Sequence, residues 1–288
     1  MSSLQACSNL QFIHGLKARS RPSGRCTVGW GADTPLAGAE LVYPDIVSLR
    51  TPFTKWEAMR YVEIGRGVSD AVERVCFRIE PGMSERAIAG AIASELMEEG
   101  FTPTVLLVGV DQRVHERRHP VPTGRKLERY CMIVVCAHRG GLVVALTRSI
   151  HFGDPSPELT RAHRAAVRVH AAMIAATRVG AVYQDVLART VAQYGIEGFP
   201  EEWRCHHQGG PIGYQDREFL VVPGSAYAPI RPLQTVAWNP SVPGAKSEDT
   251  LLVLENGVQT VTEPSRRWPM VEVRADGVAV WRPDILVR

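Results

Sequence analysis

The sequence predicts an α+β domain made of two similar halves, each a helix pair followed by antiparallel strands. Three features predict it. Apolar residues recur at helical spacing over residues 55–77 and again after Ser84, with Pro81-Gly82 between the two stretches. Two β-branched runs flank His138-Arg139-Gly140-Gly141, the strongest hairpin signal in the chain. A second pair of helical stretches gives way, from about residue 205, to short strand-like runs separated by Pro- and Gly-rich turns. At 288 residues and 45% hydrophobic, the chain has enough apolar material for a large core, which excludes disorder of the whole chain.

The elements follow in order. Residues 1–51 are rich in Ser, Gly, Pro and Arg without a sustained period and read as an N-terminal arm, leaving 52–288 as the folded domain. In the first helix Met59, Val62, Ile64, Val68, Ala71, Val72 and Val75 form the inner stripe. Ser84 caps the second helix and Glu85 sits in its first turn, where the positive end of the dipole favours an acid; Ile88, Ala89, Ile92 and Leu96 face inward, and Gly100 ends it. Strands are expected at 105–110, 132–137 and 142–150, with the Gly-Gly turn supplying positive φ angles to the hairpin. Helical spacing returns at 157–178 and 182–194, broken at Gly180.

Several function classes fall away. The formal charge is only +3, the basic residues are mostly Arg, and no long basic run forms a nucleic-acid stripe, so nucleic acid is not expected as a partner. The apolar runs fall far short of the roughly 20 residues that span a bilayer, and no leader segment is recognised, so no membrane association is expected. Six cysteines without a CxxC pair or regular framework point to a reducing cytoplasm.

Polar chemistry concentrates in three segments. Residues 204–218 carry His206, His207, Tyr214, Arg217 and Glu218 around Gly209-Gly210, where imidazoles exchange protons near neutral pH and glycines allow close approach to backbone. If the stretch before Gly209 is extended, His206 and His207 point to opposite faces, whereas Cys205 and His207 share one. Residues 111–120, with Arg113 and His119, follow an apolar strand, a common place for site residues. The third segment holds Asn239, Lys246 and Glu248; a glutamate just before a buried strand calls for a partner.

Taken together, Ile79-Glu80-Pro81-Gly82-Met83-Ser84-Glu85, His119-Pro120, Leu146-Thr147-Arg148, His207-Gln208-Gly209-Gly210, Asn239-Pro240 and Glu248-Asp249 resemble, in order, the pita-bread fold of methionine aminopeptidases, prolidase, aminopeptidase P and creatinase. The resemblance covers about residues 55–262 and implies that fold. In the family's metallopeptidases two Asp, one His and two Glu hold two metal ions. Carried over by position, the Asp pair falls at Val134 and Ala145, the His at or near His207, and the two Glu at Asn239 and Glu248. Val and Ala offer no lone pairs, so no bound metal or other cofactor is expected. The family's substrate-facing His-Glu pair appears as Arg217-Glu218; registering the segment on that pair would put the metal His at Gly210 instead.

The resemblance joins His119, His207 and Glu248 into one expected acid–base site. Arg113, His206, Tyr214, Arg217, Glu218, Asn239 and Lys246 are expected to bind substrate, a small molecule with an anionic group. Creatinase-like, metal-independent hydrolysis of a C–N bond is the leading expectation. A lyase or isomerase, a mononuclear metallopeptidase recruiting His119 or Cys205, and a non-catalytic binding module are the alternatives. Because family members commonly form dimers, a homodimer is expected.

Overall fold

The structure is a computed structural model that describes residues 31–32 and 40–288 with the exception of Ala226. The chain divides into two compact units, Met1–Arg50 and Thr51–Arg288. The arm expected at residues 1–51 lies largely outside the described residues. The described part of the first unit holds a short parallel pair, β1 (Gly31–Ala32) and β2 (Glu40–Leu41), and a helix, α1 (Tyr43–Arg50), for which the sequence shows no period.

The second unit begins with α2 (Lys55–Cys76) and α3 (Glu85–Glu98). Thr54 and Glu57 close a reciprocal capping box on α2: the Glu57 N–H donates to Thr54 Oγ1 at 3.2 Å, and the Thr54 N–H donates to Glu57 Oε2 at 2.7 Å. Ser84 caps α3 as expected by accepting from the Ala87 N–H at 3.1 Å. Both helices pack on a sheet of order β14–β5–β4–β3, formed by β3 (Thr102–Val110), β4 (Tyr130–Arg139), β5 (Leu142–His151) and β14 (Leu286–Val287). The hairpin turns at Gly140 and Gly141 with φ of 58° and 83°. Between β3 and β4 the polar segment that holds Arg113 opens with a short helix, α4 (Gln112–Glu116).

The second half repeats the plan. Helices α5 (Pro157–Ala176) and α6 (Tyr183–Ile196) pack on a sheet of order β11–β10–β7–β6. Its strands are β6 (Gly209–Pro211), β7 (Thr235–Trp238), β10 (Asp249–Leu254) and β11 (Gly257–Thr260), with the ribbon β8 (Ser241–Val242) and β9 (Ala245–Lys246) between β7 and β10. A hairpin of β12 (Met270–Ala275) and β13 (Val278–Pro283) leans on α5 and joins the second core. At Gly209, φ is 111°, and a Cβ there would run into the Ala237 carbonyl oxygen, so β6 reaches β7 only without a side chain at that position.

Every residue of β5 is buried, because helices cover one face of the hairpin and the second half covers the other. Period-two alternation sorts its side chains: Leu142, Val144, Leu146 and Ile150 join the core beneath α2 and α3, while Val143 and Ala145 face the second half. Where β5 meets β10, the Thr147 N–H donates to the Glu248 carbonyl at 3.0 Å, and Thr250 Oγ1 both accepts from the Ala145 N–H at 2.8 Å and donates to its carbonyl at 2.9 Å.

One buried ionic group fastens this joint. Arg148 Nη1 donates to Asp249 Oδ1 at 3.0 Å, and Nη2 donates to Ser69 Oγ at 3.1 Å and the Thr262 carbonyl at 2.7 Å. Thr262 Oγ1 donates to Asp249 Oδ1 at 2.8 Å, and Arg282 pairs with Oδ2. All three charged residues are at most 1% exposed. Removing one partner of such a group strands the others, so Asp249→Ala is expected to cost about 3–5 kcal/mol in urea unfolding, against less than about 0.5 kcal/mol for exposed Glu255→Ala. A loss below about 1 kcal/mol for Asp249→Ala would show that the joint does not depend on this group.

Candidate active site

The strand alternation that turns Arg148 and Asp249 to one side turns Thr147 and Glu248 to the other. Thr147 Oγ1 donates to Glu248 Oε2 at 2.9 Å. Lys246 Nζ lies 3.1 Å from the same oxygen, and Arg217 Nη2 donates to Oε1 at 3.0 Å. Burial alone would push the Glu248 carboxyl up, but the Lys246 ammonium and the Arg217 guanidinium outweigh it and hold the group below the usual carboxylate range. Glu248 therefore holds cations rather than sharing a proton, which corrects the acid–base role expected for it. Thr147, which sequence reasoning did not select, was signalled by its place beside Arg148 on a period-two strand.

Three imidazoles surround this group. His119 and His206 have ring centroids 6.0 Å apart, and His206 and His207 lie 6.2 Å apart. Residues 202–204 form a 3₁₀ turn that Cys205 closes, and Gln208 Nε2 donates to the Trp203 and His206 carbonyls at 3.0 Å each. The stretch before Gly209 is thus a turn rather than extended. Both His206 and His207 feel the Lys246 charge, and Cys205 is exposed, which corrects the expectation that Cys205 and His207 share a face.

Desolvation, then Arg217 and Lys246, depress His207 to about 4; desolvation and Lys246 depress His206 to about 3. Desolvation and Lys246 also lower His119, which stands at the solvent edge. All three rings are neutral near pH 7. His207 Nδ1 is buried and finds no hydrogen-bond partner among the described residues, as do Arg217 Nε and Asn239 Oδ1.

The register places Trp238 opposite Asp249, so continuing it by one residue brings Asn239 opposite Glu248 on the site face. Ser241 is paired directly with Lys246 on the β8–β9 ribbon, and its Oγ also accepts from Arg118 Nη1 at 3.1 Å. Neither Ser241 nor Arg118 stood out in the sequence, since a two-residue ribbon leaves no period to read.

Other expected residues are committed elsewhere. Arg113 Nε donates to buried Glu85 Oε1 at 2.8 Å and Nη2 to the Val121 carbonyl at 3.0 Å, anchoring the 111–123 loop to α3. Glu218 Oε1 accepts from the Tyr214 N–H at 2.9 Å and the Gln215 N–H at 3.2 Å, which shapes its own turn. The Tyr214 hydroxyl donates to Glu57 at the start of α2, and this bond to a carboxylate raises the phenol to about 12. Each of these three expected substrate ligands is thus engaged in contacts within the protein.

The family positions for metal carry few donors. Val134 and Ala145 lie in two apolar clusters, with Met132 and Ile285 around the first and Cys136, Ile212 and Ala237 around the second. Arg217 on Glu248 matches the register that aligns Arg217-Glu218 with the family's His-Glu pair and puts Gly210, not His207, at the metal His. Among the described residues no three His, Cys, Asp or Glu side chains come together as a metal set. Glu248 borders a cavity of about 10 Å³, room for about one water, which Thr147, Ser149, His163 and Lys246 also line. His206 and His207 instead border a pocket of about 300 Å³ with Leu187, Trp203, Val221 and Val222.

The model of metallopeptidase family M24 matches residues 59–255, and the chain belongs to that family. An uncharacterized peptidase of Staphylococcus haemolyticus is 26% identical over 200 residues, covering 64% of this chain and 54% of the relative. The uncharacterized peptidase YqhT of Bacillus subtilis is 22% identical over 237 residues, covering 79% and 67%. The chain thus spans about half the length of most of the curated relatives it matches. Among solved structures, dipeptidase PepE from Mycobacterium ulcerans superposes with a TM-score of 0.74 at 23% identity, over 87% of this chain and 65% of that one. Prolidase from Pyrococcus furiosus gives 0.71 at 19%, over 77% and 68%. The fold is the expected pita-bread fold. No helix among the described residues is long and apolar enough to cross a membrane.

The depressed imidazoles fix a pH dependence. In the unfolded chain each histidine titrates near 6.5, while the folded protein holds His207 near 4 and His206 near 3. The unfolded state therefore binds more protons as pH falls below about 6.5, so stability is full above that value and declines until the folded-state pKa values are passed. Urea unfolding between pH 7 and pH 4 is expected to show this decline, and to show it reduced in His207→Gln. An unchanged slope in that variant would refute the buried, neutral state of His207.

Proposed function

We propose that this protein is a metal-independent hydrolase of small amide or amidine C–N bonds. The observation that carries this reading is His207: a neutral imidazole with a buried, unpartnered Nδ1 beside two side-chain cations. An unsatisfied buried polar atom costs about 1–3 kcal/mol, which folding alone does not call for. His207 takes the proton of an attacking water, and the cationic groups of Lys246 and Arg217 receive a substrate anion or the developing negative charge on oxygen. The donor set does not suit divalent metal, because Val134 and Ala145 are apolar and the surviving carboxylate already balances two cations.

A second reading, a domain that binds without catalysis, is favoured by the water-sized cavity at Glu248. A screen of small amides, amidines and modified amino acids separates the two. Turnover is expected in metal-chelated protein, with kcat/KM reduced about 100-fold or more in His207→Ala. Activity lost to chelator and restored by metal would refute metal independence, and unchanged activity in His207→Ala would remove its assigned role. Ligand binding without turnover would favour the second reading.

A further inference from the structure

Next to the Glu248 group stands a hydroxyl–imidazole pair that the preceding reading does not use. The Ser241 Oγ–H donates to His206 Nε2 at 2.6 Å. His206 Nδ1 lies 2.6 Å from the His207 carbonyl, which can only accept, so Nδ1 carries the ring proton and the Nε2 lone pair faces Ser241. Arg118 Nη1 donates to the same Oγ at 3.1 Å, and its Nη2 pairs with Glu202.

Ser241 itself is fixed by its backbone. Its N–H donates to the Tyr194 hydroxyl at 2.9 Å, and its carbonyl accepts from that hydroxyl at 3.1 Å. The hydroxyl is thus not needed to hold β8 in place, and it has both a base and a cation. A nucleophile, a base within hydrogen-bond reach and a third group orienting the base are the parts of an activated serine. Lys246, paired across the ribbon, supplies positive charge on the same face. The pocket of about 300 Å³ that His206 borders, with Leu187, Trp203, Val221 and Val222, suits an apolar acyl group; it meets the pair on the imidazole side, and Ser241, 4% exposed, lies outside its lining.

We infer that Ser241 is a covalent nucleophile with His206 as its base, and that the site transfers apolar acyl groups from amides or esters through an acyl-serine. The inference rests on the hydrolase reading and names its first step. Oγ attacks the carbonyl carbon while its proton passes to His206 Nε2; the carbon–nitrogen bond breaks, and that proton leaves with the amine. A water deprotonated at His207 then attacks the ester and the carbon–Oγ bond breaks. Oγ recovers a proton from the acid product, which leaves as a carboxylate, and His207 returns its proton to solvent.

The test is reaction of the full chain with phenylmethanesulfonyl fluoride, followed by intact mass and peptide mapping. The Oγ–S bond forms, the S–F bond breaks, fluoride leaves and His206 takes the proton. One sulfonyl adduct is expected at Ser241, absent from Ser241→Ala of unchanged melting temperature and formed at least about tenfold more slowly in His206→Gln. No adduct at Ser241, or equal labelling of Ser241→Ala, overturns the inference. Amide turnover that survives Ser241→Ala overturns the serine step alone and leaves the hydrolase reading standing. Labelling of Ser241 without turnover of any amide in the screen supports the nucleophile and defeats the hydrolase reading.

Discussion

The fold depends on the burial of Arg148 against Asp249 at the line where the two halves meet. Withdrawing full charges from water costs several kcal/mol each, so the pairing is tolerated only because both carboxylate oxygens and most of the guanidinium N–H groups find partners. Those partners come from α2, β5, β10, the segment after β11, and β13, which ties elements far apart in sequence into one geometry. The next residue back on each strand, Thr147 and Glu248, faces the opposite way. The spacing of the site is therefore inherited from the joint: the two dipeptides hold the halves together with one side chain and build the polar group with the other.

Around Glu248 the electrostatics run opposite to those of a metal centre. A two-metal site concentrates carboxylates and needs cations from solution. Here one carboxylate meets two permanent side-chain cations at 3.0 and 3.1 Å, and burial together with those cations keeps the nearby imidazoles neutral. With one carboxylate against two side-chain cations, the group carries a net positive charge. Neutral imidazoles beside a positive field keep their lone pairs available, which is the state a proton acceptor requires.

Much of the fold was legible because periodicity is local. The capping signal at Ser84, the helical spacing of α2, α3, α5 and α6, and the Gly140-Gly141 hairpin need only neighbours in sequence. Joining His119, His207 and Glu248 needed the family resemblance, because no local rule brings three loops together. What failed was set by long-range polar contacts. Asp111 accepts the N–H groups of Glu128, Arg129 and Tyr130 and so shapes the start of α4, while Arg113 is claimed by Glu85, 28 residues earlier. The turn at residues 202–208 is set by Gln208 reaching back to main-chain carbonyls, which alternation along a strand cannot foresee.

The apolar lining at Val134 and Ala145 also bears on how such a site changes over time. An aspartate entering either position alone would replace an apolar contact, with Met132 and Ile285 at the first and Ile212 and Ala237 at the second. Lys246 and Arg217, for their part, cannot be lost one at a time without leaving Glu248 short of a counter-charge. These positions are therefore coupled, so a change at one alters what the others can tolerate.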